Sequence, residues 1–352
     1  MELQGQCLLA PLTTLGLGGR AEYFVDISTI DELRYLYQEA RKRGLSLTIL
    51  GGGSNALIPD DGVEGIVFRY GDSRLKCSEA QNDAVMVDVG AGYEWDALVA
   101  WAVNEGLWGL ECLSGIPGWV GAAPIQNIGA YGVELADVLH SIEVFDMSDG
   151  SVQRLKCEEL GLGYRDSHLK RHWRGRFVVL SIRLELLSNG VPNLSYRDLQ
   201  VLNESHKSPT LLEIRERVLK VRAEKSMLAS VDDPDAQSLG SFFVNPVLGH
   251  QELESVKEIC ARRNFGPLPC HAFGEHWKVP AAWLIEKAGF ARGTIFGGVG
   301  ISRKHSLALI NRGDGSTAEL LAFAKQIKET CRETFGVELE REPQPLTRLE
   351  LS

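Results

Sequence analysis

Two textures of apolar spacing organise the chain, one helical near the N-terminus and one strictly alternating near the middle. Thr29-x-x-Glu32 reads as a capping box, in which hydroxyl and carboxylate satisfy orphan backbone N–H groups. Leu33, Leu36, Tyr37 and Ala40 follow at the intervals of an amphipathic helix, which Gly44 stops. Ser46 to Leu50 is a short apolar strand running into Gly51-Gly52-Gly53-Ser54-Asn55, and further strands are expected at Gly65–Tyr70 and Ala84–Val89. Trp95, Leu98, Val99 and Ala102 then mark a helix ending at Gly106. In Phe177–Leu187, Ile182, Leu184 and Leu186 alternate with Ser181, Arg183 and Glu185, the pattern of a half-buried antiparallel strand.

Between those textures, from about Ser114 to Gly132, periodicity gives way to a long run of Gly, Ala and Pro. Unstructured connections of that length inside a compact domain are usually functional. Ser141–Asp146 and Ser151–Leu155 flank a turn and read as a hairpin. A second capping box, Thr210-x-x-Glu213, starts a helix through about Glu224, and Asp232-Asp233-Pro234-Asp235 marks a boundary. Beyond it the spacing predicts helices near Gln251–Arg263 and Pro280–Ala288, a Gly-rich strand region at Thr294–Ile310, a long helix from Thr317 to about Phe335, and a last strand at Val337–Glu342. The whole reads as two α+β modules, with the final strand returning to the first.

Composition narrows the functional classes. At 352 residues the chain is long enough for two or three domains. Its formal net charge of −10, with no basic cluster longer than Arg41-Lys42-Arg43, lacks the footprint of a nucleic-acid binder. No apolar stretch suits a membrane span, and Met1-Glu2-Leu3-Gln4 lacks the basic start of a signal peptide. Seven scattered cysteines without a CxxC pair exclude a disulfide framework and the common zinc spacings, which fits a reducing cytoplasm.

The 37 glycines cluster where chemistry is expected. Gly51 to Ala56 formally matches G-x-G-x-x-A, but Pro59-Asp60-Asp61-Gly62 blocks the helix that a dinucleotide fingerprint requires. What survives is a side-chain-poor loop able to present backbone N–H groups to an anion, or a tight turn. The second run, Gly115-Ile116-Pro117-Gly118-Trp119-Val120-Gly121-Ala122-Ala123-Pro124-Ile125-Gln126-Asn127-Ile128-Gly129-Ala130-Tyr131-Gly132, lets main chain approach a large flat ligand, with Gln126 and Asn127 free to bond its edges. Arg165 in Tyr164-Arg165-Asp166-Ser167 suits bidentate capture of a carboxylate, or a surface pair with Asp166. Ser241, between Gly240 and two phenylalanines, suits proton transfer or a turn, and no G-x-S-x-G elbow surrounds it. Glu338, Glu340 and Glu342 share one strand face, which is solvated unless it meets the second module.

Taken in order, Ile49 to Asn55, Ile116-Pro117-Gly118, Pro124 to Gly132, Gly163 to Ser167 and Gly240 to Pro246 closely resemble the UDP-N-acetylenolpyruvoylglucosamine reductase (MurB) family. The likeness runs from Thr14-Leu15-Gly16 to Glu342. It implies an α+β architecture: an FAD-binding fold of the vanillyl-alcohol-oxidase (PCMH) type in two subdomains, 1–70 and 71–222, plus a C-terminal α+β substrate-binding domain, 223–335. Segment 336–352 would return as a strand to the second subdomain. It implies non-covalent FAD held by Gly51, Gly52, Gly53, Ser54, Asn55, Ile116, Pro117, Gly118, Gly121, Ala122, Gln126, Asn127, Gly129, Ala130 and Tyr131, and no metal. The implied reaction is NADPH-dependent reduction of the enolpyruvyl ether of UDP-N-acetylglucosamine to UDP-N-acetylmuramate, for peptidoglycan, by a cytoplasmic monomer.

Within that resemblance Arg165 stabilises developing negative charge, Glu342 assists it, and Ser241 is the proton donor. Tyr196 matches the tyrosine of a mobile loop that marks the family's type I branch, Lys225 and Asn245 match residues meeting diphosphate and uridine, and His305 aligns with a further polar contact. The chain departs from the family in a longer, more acidic Ser226–Leu239 segment, in Val244 for a frequent Lys, and in Arg341-Glu342-Pro343 for Pro-Glu-Val. The last leaves Glu340 as the alternative to Glu342. Competing readings are a sugar or lactone oxidase of the same fold, whose flavin is often tethered to His or Cys, and a non-catalytic flavin or sugar-nucleotide binder. Neither glycine-rich loop holds His or Cys, although Cys112 is close.

Overall fold

The computed structural model describes residues 2–79, 82–204, 208–228 and 232–351, and is α+β. Both expected capping boxes form: Thr29 accepts from the Glu32 N–H ahead of helix Ile30–Arg43, and Thr210 from the Glu213 N–H ahead of helix Leu211–Glu224. A third, Ser316 with Glu319, starts helix Thr317–Phe335, which Gly336 ends in the left-handed conformation (φ 72°).

One five-stranded sheet runs Gln4–Leu8, Arg20–Ile27, Val63–Tyr70, Leu47–Ile49, Thr347–Arg348 in spatial order. Its three inner strands are parallel, and helix Ile30–Arg43 crosses between Arg20–Ile27 and Leu47–Ile49. A second sheet, Val152–Lys156, Leu139–Asp146, Phe177–Leu187, Ala84–Gly90, Leu75–Cys77, is antiparallel throughout. The two share a core in which Leu33, Leu36, Tyr37 and Ala40 meet Phe145, Met147, Val178 and Leu180. Phe177–Leu187 is therefore half-buried only in its later part: Val178 and Leu180 face this joint, while Val179, Ile182, Leu184 and Leu186 face a separate core built on helices Trp95–Asn104 and Leu211–Glu224. A third core packs helix Thr317–Phe335 and helix Ala281–Lys287 against the sheet of Ser238–Ser241, Ala308–Asn311, Val299–Ile301 and Ile295–Phe296.

The C-terminus corrects two expectations. Val337–Glu342 is extended but forms no regular strand. It has one bridge, Phe243 with Arg341, flanked by N–H donations from Val244 to the Glu340 carbonyl and from Glu342 to the Phe242 carbonyl. The returning strands are two-residue pieces that join the first sheet and its margin, not the second: Thr347–Arg348 pairs with Leu47–Ile49, and Gln344–Pro345 with Ala56–Leu57. Among the described residues, no helix is long and apolar enough to cross a membrane.

Candidate active site

A cavity of about 360 Å³ opens where the two glycine-rich loops, the Tyr164–Arg165 turn, the Ser241 strand end and the C-terminal tail converge. Gly51 to Asn55 all line it, and the chain after them enters a two-residue strand instead of a helix, so the dinucleotide fingerprint is excluded by structure as well as context. The second loop contributes Ile116, Pro117, Gly121, Ala122, Gln126 and Gly129. The glycines are needed for close approach. A Cβ on Gly52 would stand 2.8 Å from Gly118 Cα, and one on Gly121 would stand 2.6 Å from Ala91 Cβ. Gly118 lies behind the lining, where a Cβ would strike the Ser54 hydroxyl.

Three further residues read as cofactor contacts lie outside the lining. Asn127 is fully buried, and its amide is spent on protein: Nδ2 donates to Glu134 Oε2 (2.7 Å) and the Gly163 carbonyl (3.0 Å), while Oδ1 accepts from the Ala136 N–H (2.9 Å). It clasps the loop to the base of the Arg165 turn. Ala130 sits in the small hairpin with Val133–Glu134. Tyr131 is buried and packs edge-on against Tyr196, ring centroids 5.3 Å apart.

Arg165 occupies the tip of a tight turn whose base is closed by reciprocal Gly163–Asp166 backbone bonds of 3.0 and 3.1 Å. Its backbone is left-handed (φ 55°), an uncommon conformation for arginine that aims the side chain inward. The guanidinium donates to the Gly129 carbonyl (2.6 Å) and, through Nε, pairs with Glu342 Oε1 at 3.1 Å. Of the two carboxylates, Glu342 faces the cavity: it is 14% exposed in this pair, whereas Glu340 is 60% exposed and lies 3.6 Å from Lys170. Burial pushes the Glu342 carboxyl up from its ordinary range, opposed by Arg165, Lys170 and the Gln126 amide. Ser241 lines the same cavity, at a strand end paired with Ala308. Because Glu342 bonds the residue after Ser241, serine, glutamate and arginine from three distant segments converge.

Of the other candidates, Lys225 and His305 lie near one another, and Asn245 lies beside the Arg165 turn. Lys225 pairs with Asp198 (Nζ–Oδ2 2.8 Å), and its ammonium lies 5.9 Å from the Tyr131 ring centroid. His305 is held neutral, its pKa lowered to about 4 by burial and by Lys225 and Arg292. Asn245 Oδ1 accepts from the Ala281 N–H (2.9 Å) at the start of helix Ala281–Lys287, and the residue also bonds Tyr164.

Sequence reading missed Lys170, which donates to the Arg165 carbonyl at 2.8 Å, and Arg222, a half-buried cation on the cavity wall held by the Gly115 and Met227 carbonyls. It also missed Lys278, whose ammonium sits between the Tyr164 ring (3.5 Å) and the Phe273 ring (4.1 Å). None of the three carries a local motif. Of the acidic Ser226–Leu239 segment, residues 229–231 lie outside the described residues; Asp233 pairs with Lys304 and Asp235 with Arg303. Cys112 is buried, donates to the Asn193 carbonyl and has its thiol pushed up to about 12, so it does not reach into the cavity as a flavin tether would.

Residues 232–346 match the family described as "UDP-N-acetylenolpyruvoylglucosamine reductase, C-terminal domain", and residues 21–156 match "FAD binding domain". A UDP-N-acetylenolpyruvoylglucosamine reductase of Thermobifida fusca is 40% identical over 343 residues, covering 95% of each chain. One of Salinispora arenicola is 41% identical over 345 residues, covering 96% of this chain and 94% of its own. The crystal structure of the Thermus caldophilus reductase superposes with a TM-score of 0.65 at 28% identity, covering 98% of this chain and 99% of that one.

Proposed function

The chain belongs to the UDP-N-acetylenolpyruvoylglucosamine reductase family, and on that premise we propose which of its residues carry the reaction. It is an FAD-containing oxidoreductase of the vanillyl-alcohol-oxidase type of fold that reduces UDP-N-acetylglucosamine enolpyruvate with NADPH, in peptidoglycan precursor synthesis. The sugar or lactone oxidase is not the favoured reading.

The residues present fit the cofactor. Gly51–Gly53 and Gly121–Ala122 line the cavity, where their main chain can face a flat ring system and a diphosphate, with Ser54, Asn55, Ile116 and Pro117 beside them. FAD, when bound, supplies the hydride chemistry between NADPH and the enolpyruvyl double bond. Arg165 takes the substrate carboxylate, onto which negative charge moves during reduction, and a preorganised guanidinium in a water-poor site stabilises that charge by several kcal/mol, about 3. Glu342 holds Arg165 in place and balances it before substrate arrives. Ser241 donates the proton to the carbon next to the carboxylate.

Three of the remaining candidates form the recognition end. Tyr196 closes over the sugar nucleotide, Lys225 meets the diphosphate, and neutral His305 offers a polar contact without adding charge. Asn245 acts from the catalytic side, through Tyr164. Region 223–335 serves as the substrate-binding domain, and 1–70 with 71–222 as the flavin-binding pair. Soluble nucleotide co-reactants and free cysteines support the cytoplasm.

The observation that carries this reading is the Arg165–Glu342 pair beside Ser241 in a cavity walled by both glycine-rich loops. Its test separates the half-reactions of Ser241→Ala. Flavin reduction by NADPH stays within twofold of wild type, while reoxidation by the enolpyruvyl substrate slows by orders of magnitude, about a thousandfold. Equal loss in both half-reactions removes Ser241 from the acid's role.

A further inference from the structure

A line of side-chain bonds crosses the site and joins both glycine-rich loops to the catalytic tail. Asn55 Nδ2 donates to Gln126 Oε1 at 2.9 Å, and Gln126 Nε2 donates to Glu342 Oε1 at 3.2 Å. That same Glu342 oxygen receives Arg165 Nε at 3.1 Å. Asn55 belongs to the first loop, Gln126 to the second, Glu342 to the C-terminal tail and Arg165 to the turn, so four remote segments meet in one polar chain.

The direction of that chain is set at one end. An ionised carboxylate only accepts, whereas an amide has one donating and one accepting side. Glu342 as an anion therefore requires the Gln126 NH₂ toward it, which turns the Gln126 carbonyl toward Asn55 and requires the Asn55 NH₂ in return. Every junction is donor to acceptor in that arrangement and in no other while Glu342 is ionised.

We propose that Asn55 and Gln126 are positioning residues for the catalytic carboxylate: a polarised amide line that holds Glu342 ionised and turned toward Arg165. The inference rests on the role given above to Glu342 and Arg165. It also gives Gln126 a task besides lining the cofactor's cavity, and a reason for an amide there. The charged and titratable groups facing Glu342 are Arg165 and Tyr164 from the turn and Lys170 from the segment after it; Gln126 is the neutral donor from the second loop. Burial outweighs these donors and leaves the carboxyl raised from its ordinary range, so the loss of any one donor to the carboxylate matters.

The experiment titrates Glu342 directly in the flavin-loaded protein, by the carboxyl ¹³C shift of labelled glutamate, assigned through the signal lost in Glu342→Gln. The acid limb of kcat/KM is recorded in parallel. Gln126→Met keeps the volume and removes the donor, and moves the Glu342 midpoint up by about one pH unit, with the acid limb following. Asn55→Ala frees the Gln126 amide and gives a smaller upward shift. Asn55→Asp is nearly isosteric yet accepts instead of donating, which turns the Gln126 NH₂ away and its carbonyl onto Glu342, so its shift exceeds that of Asn55→Ala. An added charge acting only through space would raise the midpoint as much in the Gln126→Met background, whereas a shift carried by the Gln126 amide is lost in the double variant.

A Glu342 midpoint within about 0.2 units of wild type in Gln126→Met, or an Asn55→Asp shift no larger than that of Asn55→Ala, overturns the proposal. Should Gln126→Met fail to fold, the two Asn55 variants carry the test. A wild-type protein that binds flavin but leaves the enolpyruvyl sugar nucleotide unreduced defeats the reductase reading instead, and leaves the ¹³C titration readable.

Discussion

Both ends of the site pair a cation with a carboxylate, and the pairs differ in what surrounds them. Arg165 and Glu342 are 19% and 14% exposed and carry further bonds to Gly129 and Gln126. Lys225 and Asp198 are 33% and 31% exposed, beside a Tyr196 that is 44% exposed. Breaking a buried pair leaves a charge uncompensated at a cost of several kcal/mol, about 3–5, whereas a partly exposed pair is worth about 0–1 kcal/mol. The first pair therefore defines a geometry, whereas the second can be exchanged at little cost, as the phosphate contact proposed for Lys225 requires. Chemistry is built where partners are fixed, recognition where they are replaceable.

That contrast breaks most visibly at Arg165. Arg165→Lys keeps the charge but loses the fork that spans Gly129, Glu342 and a substrate carboxylate. Steady-state kinetics should show kcat reduced by about two orders of magnitude with KM changed only a few-fold. A lysine variant turning over within about threefold of wild type would mean that the buried pair is scaffolding, and the distinction between the ends would fall.

Lys225→Ala probes the other end and gives a smaller effect of opposite type. KM for the sugar nucleotide should rise about tenfold while kcat stays within about threefold, because the lost contact is made equally in ground and transition states. Raising the salt concentration should narrow the gap between variant and wild type, since an exposed cation–phosphate contact is screened. A fall in kcat at unchanged KM would put Lys225 among the catalytic groups.

How much of this was legible follows from what kind of signal each residue carries. Helices Ile30–Arg43 and Leu211–Glu224 were readable to within a residue or two, because capping boxes and 3.6-residue spacing are local. The convergence of Arg165, Ser241 and Glu342 came from the ordered motifs of a family, not from spacing. For Asn127, sequence gives the chemistry but not which way a left-handed residue (φ 48°) turns its side-chain amide, which here faces Glu134 and Gly163. Alternation put Glu340 and Glu342 on one face, and only tertiary packing shows that solvent covers one and the Arg165 turn the other. The tail's return was expected, but not which sheet it joins, since two-residue strands have no period to read.

The mildest expected effect sharpens the comparison at His305, the recognition-end residue that is kept neutral. Burial, then Lys225 and Arg292, depress its pKa to about 4, with Glu286 opposing. The unfolded chain binds that proton near pH 6.5. Above that value both states hold the imidazole neutral, and it contributes no slope. Between about pH 6.5 and 4 the unfolded state binds more protons than the folded one, so stability falls as pH falls. His305→Gln removes that dependence while keeping a polar side chain. Thermal melts between pH 7 and 4.5 should show the variant losing less than wild type on acidification, by a few degrees at most. Parallel Tm curves would mean the imidazole titrates as it does in water, and that the cations around it, Lys225 included, do not press on it in the folded protein.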